Sequence, residues 1–185
     1  LPGLGEANII AAKVAFDDAP PTDLITNETL EEQIRLMTEW SEFWSQGKFK
    51  YSFQFVEDWV EVPVNHADYI VDPGAGDNQY DQEEFQRQVQ DTLLDIAQLT
   101  VAEFPDGLDW ASADAVFVYW SPEITAFKQS VGVRTKMLST PGGNFRLSFS
   151  GGGIFHYSDA GGIQLRTKQD YLWTWWIHEF LHFQG

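Results

Sequence analysis

Two histidines and a glutamate lie close together near the end of this sequence, in the segment His178-Glu179-Phe180-Leu181-His182. A spacing of four residues places both imidazoles on one face of a helix, one turn apart, so both can bind one metal ion. Zinc suits two imidazoles with an open coordination position. Glu179 follows the first histidine directly and can accept a proton from metal-activated water. The pattern therefore predicts an H-E-x-x-H zinc metallopeptidase.

The helix that must carry these residues is predicted to begin near Asp170, which is a suitable N-cap. Its residues are apolar on nearly every side, so we expect the whole helix to be buried. The apolar residues are Leu172, Trp173, Trp175, Trp176, Ile177, Phe180, Leu181 and Phe183. Histidine and glutamate in such a helix need partners, because burial without them costs several kcal/mol. A metal site provides those partners, and a pair of hydrogen-bonded core histidines is the alternative.

Gly185 extends the motif to H-E-x-x-H-x-x-G. This longer pattern resembles the metzincin arrangement, in which the glycine ends the helix and turns the chain toward the metal. Catalytic zinc sites normally have three protein ligands and a water, and this sequence assigns two. We expect the third ligand to come from a C-terminal remainder or a second fragment of the same protein. Residues 1–185 are accordingly predicted to be the N-terminal part of a metallopeptidase catalytic domain, incomplete at its C-terminus.

Hydrophobic periodicity predicts an α+β fold around this helix. The predicted helices are 27–46 and 81–102, and the predicted strands are 8–16, 48–55, 59–64, 114–120, 144–150, 154–157 and 163–166. Thr29 and Glu32 have the spacing of a capping box for the first helix. A turn is predicted at residues 57–58 and another at 140–143. Pro63 indicates an edge strand or a strand end.

The inward side of the second helix is predicted from its apolar spacing to consist of Phe85, Val89, Leu93 and Ile96.

Composition excludes some classes of partner. The chain has 28 acidic and 11 basic residues, for a formal net charge of −17. Nucleic-acid binding needs clustered cations, and anionic membranes repel such a chain. The sequence has no cysteine, so disulfides and thiolate ligands are excluded. No run approaches the ~20 apolar residues of a membrane span. The acidity fits calcium binding, cationic substrates or an ordinary solvated surface.

The order of several motifs resembles the secreted bacterial metallopeptidases of the immune inhibitor A type. The motifs are VAFDDAP, the helix end WSQGK, the strand WVEVP, the strand DAVFV and the H-E-x-x-H-x-x-G helix. The resemblance implies a secreted zinc endopeptidase, often with structural calcium, that acts on proteins or peptides. It also implies His178 and His182 as zinc ligands and Glu179 as general base. Leu181 departs from the glycine that is common there in the family.

The resemblance further implies a metzincin-like N-terminal subdomain, with a twisted mixed sheet, two long helices and the zinc helix. The alternative function is a non-catalytic extracellular structural or adhesive protein built on a degenerate peptidase domain. A third hypothesis is that the chain is one fragment of a cleaved protein.

Two further groups of residues are weaker candidates. Asp72, Asp77, Asn78 and Asp81 supply oxygen atoms on a glycine-rich loop, which suits calcium. The alternative there is a polar turn before a helix N-terminus, where acids are favourable.

His156 and Tyr157 lie on a predicted short strand among glycines. Peptidases of this class bind substrate by adding a strand to a sheet edge near the zinc, so these residues are candidates for the substrate cleft. A surface position without a role is the alternative. His66 is interpreted as a loop residue without a function.

Overall fold

The computed structural model describes residues 5–69, 82–121, 131–152, 158–159, 162–163 and 172–184. These residues form a mixed α/β fold. Its α-helices are α1 (Asn27–Ser45), α2 (Gln82–Ala102) and α3 (Leu172–Gln184). Its strands are β1 (Gly5–Phe16), β2 (Phe49–Val62), β3 (Ala115–Trp120), β4 (Val131–Thr140), β5 (Gly143–Gly152), β6 (Ser158–Asp159) and β7 (Gly162–Ile163). A short 3₁₀ helix spans His66–Tyr69.

A mixed sheet of five strands has the order β2-β1-β3-β5-β4, and β6 and β7 form a separate pair. β1 pairs in parallel with β2 and β3, and β3 pairs in parallel with β5. β4 pairs antiparallel with β5 in a hairpin, which confirms the predicted turn at 140–143. The coarse prediction of helices packed on a mixed sheet is therefore confirmed. β4 itself was not predicted.

The central strands are buried on both faces, as expected of parallel strands covered by helices. On one face, Leu93 and Ile96 of α2 pack with alternate residues of β1 and β3. On the other face, Leu30 and Met37 of α1 belong to the same core cluster as Trp176 of α3. The helix that carries the H-E-x-x-H segment therefore shares its face of the sheet with α1.

The second helix has nearly the predicted bounds, and its predicted inward residues Leu93 and Ile96 are buried. The side chains of Phe85 and Val89 lie outside the described residues, as does Asp170. Residues 154–157 and 164–166 of the predicted strands also lie outside them. Within the described ranges, no helix is both long enough and apolar enough to cross a membrane.

The ends of α1 differ in part from the prediction. Thr26 is the N-cap, and its Oγ1 accepts a hydrogen bond from the backbone N–H of Thr29 at 3.2 Å. The predicted capping box of Thr29 and Glu32 is therefore wrong, because the N-cap lies three residues before Thr29. At the other end, the backbone N–H of Gly47 donates to the carbonyl oxygen of Glu42 at 2.9 Å. The C-cap is Gln46, with φ of 56° in the left-handed region, so the helix ends one residue before the predicted stop at Gly47, which itself has φ of 73°.

β2 is a single strand, so the predicted turn at 57–58 is wrong. Val56 pairs with Ala12, and Val60 pairs with Val14, so the register shifts between these two pairs. The extra residues of β2 form an irregularity that interrupts the alternation without ending the strand. β2 is an edge strand and ends directly before Pro63, as that proline predicted.

Candidate metal centre

An aromatic cluster anchors one side of α3 to the sheet. The ring of Trp176 stacks on Phe117 of β3, with centroids 5.4 Å apart and an interplanar angle of 25°. Phe180, one turn further, meets Tyr51 edge-on at 5.5 Å, Phe117 at 6.1 Å and Phe49 at 6.1 Å. Burial raises the pKa of the Tyr51 hydroxyl to about 12. These contacts fix which side of α3 faces the core.

Away from this cluster, two described residues of α3 are exposed. The side chain of His178 is exposed, and Leu181 is 46% exposed. The expectation that the whole helix is buried was therefore wrong. It failed because Leu181 was counted as core, whereas among the described side chains of α3 the buried ones are Trp176, Ile177 and Phe180.

The backbone of α3 is helical from Leu172 to Gln184, so residue 182 lies one turn beyond residue 178 on the same side. That is the relation required of two imidazoles that bind one ion. The side chains of Glu179 and His182 lie outside the described residues. Among the side chains that are described, no group of three or more His, Cys, Asp or Glu is arranged to hold a metal.

The N-terminal turn of α3 is held by a side chain from α1. Gln33 is only 3% exposed, and its Oε1 accepts a hydrogen bond from the backbone N–H of Trp173 at 3.1 Å. The first N–H groups of a helix have no partner within the helix, so this bond satisfies one of them. Gln33 was not singled out from the sequence. Its spacing with Leu30 and Met37 places it on the buried stripe of α1, where a polar residue needs a partner.

Replacement of Gln33 with Met should lower the free energy of unfolding by about 1–2 kcal/mol, because a buried N–H loses its acceptor while volume is nearly kept. Chemical denaturation followed by tryptophan fluorescence measures this loss. The exposed Gln90 of α2 provides the control, and Gln90→Met should change stability by less than about 0.5 kcal/mol. Equal losses in the two variants would show that the bond to Trp173 does not stabilise the fold.

His66 has a structural role in the fold, which the interpretation of it as a loop residue did not include. It is 6% exposed and lies in the 3₁₀ helix after β2. Its Nδ1 lies 2.7 Å from Oδ1 of Asp18, and its backbone N–H donates to the same oxygen at 2.7 Å. The backbone N–H of Ala67 donates to Oδ2 of Asp18 at 3.1 Å. Asp18 thus joins the loop after β1 to the segment after β2.

Asp18 should contribute stability that depends on pH. Burial alone would raise the pKa of its carboxyl, but hydrogen bonds from His66 and Ala67 outweigh burial and lower this pKa below its ordinary value. A lowered pKa means that the contribution is present above about pH 4 and is lost as pH falls through the folded-state pKa. Asp18→Asn should therefore cost about 1–2 kcal/mol near neutral pH, and the difference from wild type should shrink below about pH 4.

Urea unfolding at several pH values measures this dependence for Asp18→Asn. The control is Asp17→Asn, which removes the same charge from the adjacent, exposed residue. A constant difference between Asp18→Asn and wild type at all pH values would contradict the role of the ionised carboxylate.

The remaining predicted site residues lie outside the described residues. This applies to the calcium candidates Asp72, Asp77, Asn78 and Asp81, and to the substrate-cleft candidates His156 and Tyr157. Both sites remain predictions. Comparison with known proteins adds no relative: no protein family matches this chain, and no curated protein is similar to it.

Proposed function

We propose that this protein is a zinc-dependent endopeptidase in which Glu179 is the general base. The observation that carries the proposal is the orientation of α3. One side of the helix is anchored by Trp176 and Phe180, while His178 is exposed on the other side, in the register of H-E-x-x-H. A helix that bears metal ligands for catalysis must present them to substrate, and this orientation permits it.

The donors suit zinc. His178 and His182 offer two neutral imidazoles at a helical spacing, and zinc coordination through imidazole nitrogen is common in catalytic sites. A bound zinc ion would lower the pKa of a coordinated water to about 7 and polarise the scissile carbonyl. A third protein ligand is not assigned in this chain. The resemblance to the immune inhibitor A type supports the same ligands and a secreted, bacterial protein with a metzincin-like fold.

Glu179 moves the protons of the reaction. Its carboxylate accepts a proton from the attacking water while the water oxygen bonds to the carbonyl carbon of the peptide. The protonated carboxyl then delivers that proton to the leaving amine nitrogen as the C–N bond breaks. In the H-E-x-x-H pattern the glutamate that follows the first histidine would act on metal-bound water as a general base and would not be a metal ligand.

The edge of the sheet supports an extended substrate. α3 packs against β5 and β4, and β4 is the outermost strand on that side. An outermost strand can pair through its outward N–H and C=O groups with an added strand, and in β4 the side chain of Gln98 already binds those of Ser139. A peptide bound there would run past the helix that carries His178.

Metal content of the purified full-length protein tests the proposal. Elemental analysis should find about one zinc ion per chain, and a His178→Ala/His182→Ala variant should lose it. The control Leu181→Ala changes an exposed residue of the same helix without removing an imidazole and should keep the zinc. An intact, folded wild-type protein without zinc would contradict the proposal and favour the structural or adhesive alternative.

A further inference from the structure

One hairpin of this acidic protein is cationic. The segment 131–152, which contains β4, β5 and their turn, has three basic residues, Arg134, Lys136 and Arg146, and no acidic residue. All 28 acidic residues of the chain lie elsewhere. We call this segment the cationic hairpin. Such a local excess of positive charge within a chain of net charge −17 creates a field of opposite sign on one part of the surface.

The three cations are available to a partner. Arg134, Lys136 and Arg146 are all exposed. The ion pairs found within the described part of the chain join Arg35 to acids of α1 and His66 to Asp18, and none involves the hairpin. The charges of the hairpin are thus not neutralised by neighbours there, in contrast with Arg35.

The hairpin also presents backbone groups, because β4 is an outer strand of the five-stranded sheet. The side chain of Gln98 in α2 binds both the N–H and the C=O of Ser139, at 2.9 and 2.8 Å, so an added strand would pair with β4 before Ser139. Added strands bind at such edges through main-chain hydrogen bonds, while side chains on alternate positions give specificity. The side chains of an added strand would extend toward both faces of the sheet. Cations are present on both faces as well, as the register of β4 and β5 shows.

Arg146 pairs across the hairpin with Met137, which is 62% exposed. Its neighbour in β5 is Leu147, so the side chains of Arg146 and Leu147 lie on opposite faces of the sheet. Leu147 packs on the α2 side, so Arg146 lies on the side of α3. Lys136 pairs with Leu147 and therefore lies on the side of α2. An added strand with acidic residues could thus meet a cation on either face.

We propose that the cationic hairpin docks an extended peptide segment that bears acidic side chains, added as a strand to the outer edge of β4. Docking follows from the charge of the hairpin and from the outer position of β4 before Ser139. This docked segment is the substrate if the protein is the peptidase proposed above. The enzyme then prefers acidic residues near the cleaved bond. The competing explanation is that charges on β4 only prevent edge-to-edge aggregation.

Peptide binding to a Glu179→Gln protein tests the proposal without hydrolysis. Three fluorescent peptides should share one apolar backbone pattern and carry Glu, Gln or Lys at alternate positions. Anisotropy titration should show the Glu peptide binding roughly fivefold to tenfold more tightly than the Lys peptide at about 50 mM salt, with a smaller ratio at about 300 mM. Equal binding of the three peptides, or no binding of any, would overturn the proposal.

The chain offers a matched control for net charge. Arg134→Gln/Lys136→Gln removes two cations from the β4 edge, and Lys48→Gln/Lys50→Gln removes two exposed cations from the β2 end of the sheet. Only the first variant should lose the preference for the Glu peptide. Equal loss in both variants would show that net charge alone determines binding and would overturn the proposal. Melting temperatures verify that both variants are folded.

The two proposals fail in distinguishable ways. Selective binding of the Glu peptide by a protein that hydrolyses no peptide would refute the peptidase and leave the docking surface standing. Hydrolysis that is equally efficient for the Glu and Lys peptides, with equal binding, would refute the docking surface alone.

Discussion

A Glu179→Gln variant of the full-length protein is expected to retain zinc and to lose hydrolysis of peptide substrates. Glutamine keeps the size and polarity of the side chain but cannot take up and release the proton. General acid–base catalysis contributes about 10²–10⁴-fold to rate, so kcat should fall by at least about a hundredfold. Cleavage of an internally quenched peptide, together with elemental analysis of the same sample, measures both properties.

Glu31→Gln is the control for this variant, because Glu31 is an exposed glutamate of α1. It should leave the rate and the zinc content unchanged. Undiminished hydrolysis by Glu179→Gln would refute the assigned role of Glu179, even if zinc were present. Loss of zinc together with activity would show instead that this residue helps to hold the metal.

Replacement of Phe180 with Ala is expected to cause a large loss of stability. Phe180 is 4% exposed and its ring meets those of Tyr51, Phe117 and Phe49. Truncation of a buried phenylalanine costs about 3–5 kcal/mol, from lost burial and the cavity that remains. The variant should also bind zinc more weakly, because the packing of Phe180 fixes the rotation of the helix and therefore the direction of His178.

The adjacent residue provides the control. Leu181 is 46% exposed, so Leu181→Ala should cost less than about 1 kcal/mol. Denaturant unfolding of both variants measures the difference. Similar losses at the two positions would contradict the orientation of α3, and with it the exposure of His178.

The helices were predictable because their apolar spacing reflects burial on one side. Leu30 and Met37 in α1, and Leu93 and Ile96 in α2, are all buried. The same reasoning missed β4, whose alternation is interrupted. The register between β4 and β5 shifts between Val133 and Lys136, so exposed residues follow each other without a period of two.

The predicted strand 144–150 is shorter than β5, which spans Gly143–Gly152 and contains Gly151. A Cβ atom there would lie 2.3 Å from Cζ2 of Trp120, so no larger residue fits against this indole. That requirement comes from the pairing of β3 with β5, and the local sequence gives no sign of it.

In the candidate site, too, local features could be predicted from the sequence and contacts between distant residues could not. The spacing of His178 and His182 depends only on the period of the helix, so it could be predicted. The partners of α3 and of His66 could not, because they are distant in sequence: Gln33 and Trp173 are 140 residues apart, and Asp18 and His66 are 48 apart. Such contacts depend on how the elements pack on the sheet.

The most direct measurement of the central claim is X-ray absorption at the zinc edge of the full-length protein. The spectrum should contain at least two imidazole ligands with Zn–N distances of about 2.0–2.1 Å. His182→Ala should lose one imidazole, and Leu181→Ala should lose none. A zinc spectrum without imidazole scattering, or one that His182→Ala leaves unchanged, would contradict the assignment of α3 as the metal-binding helix.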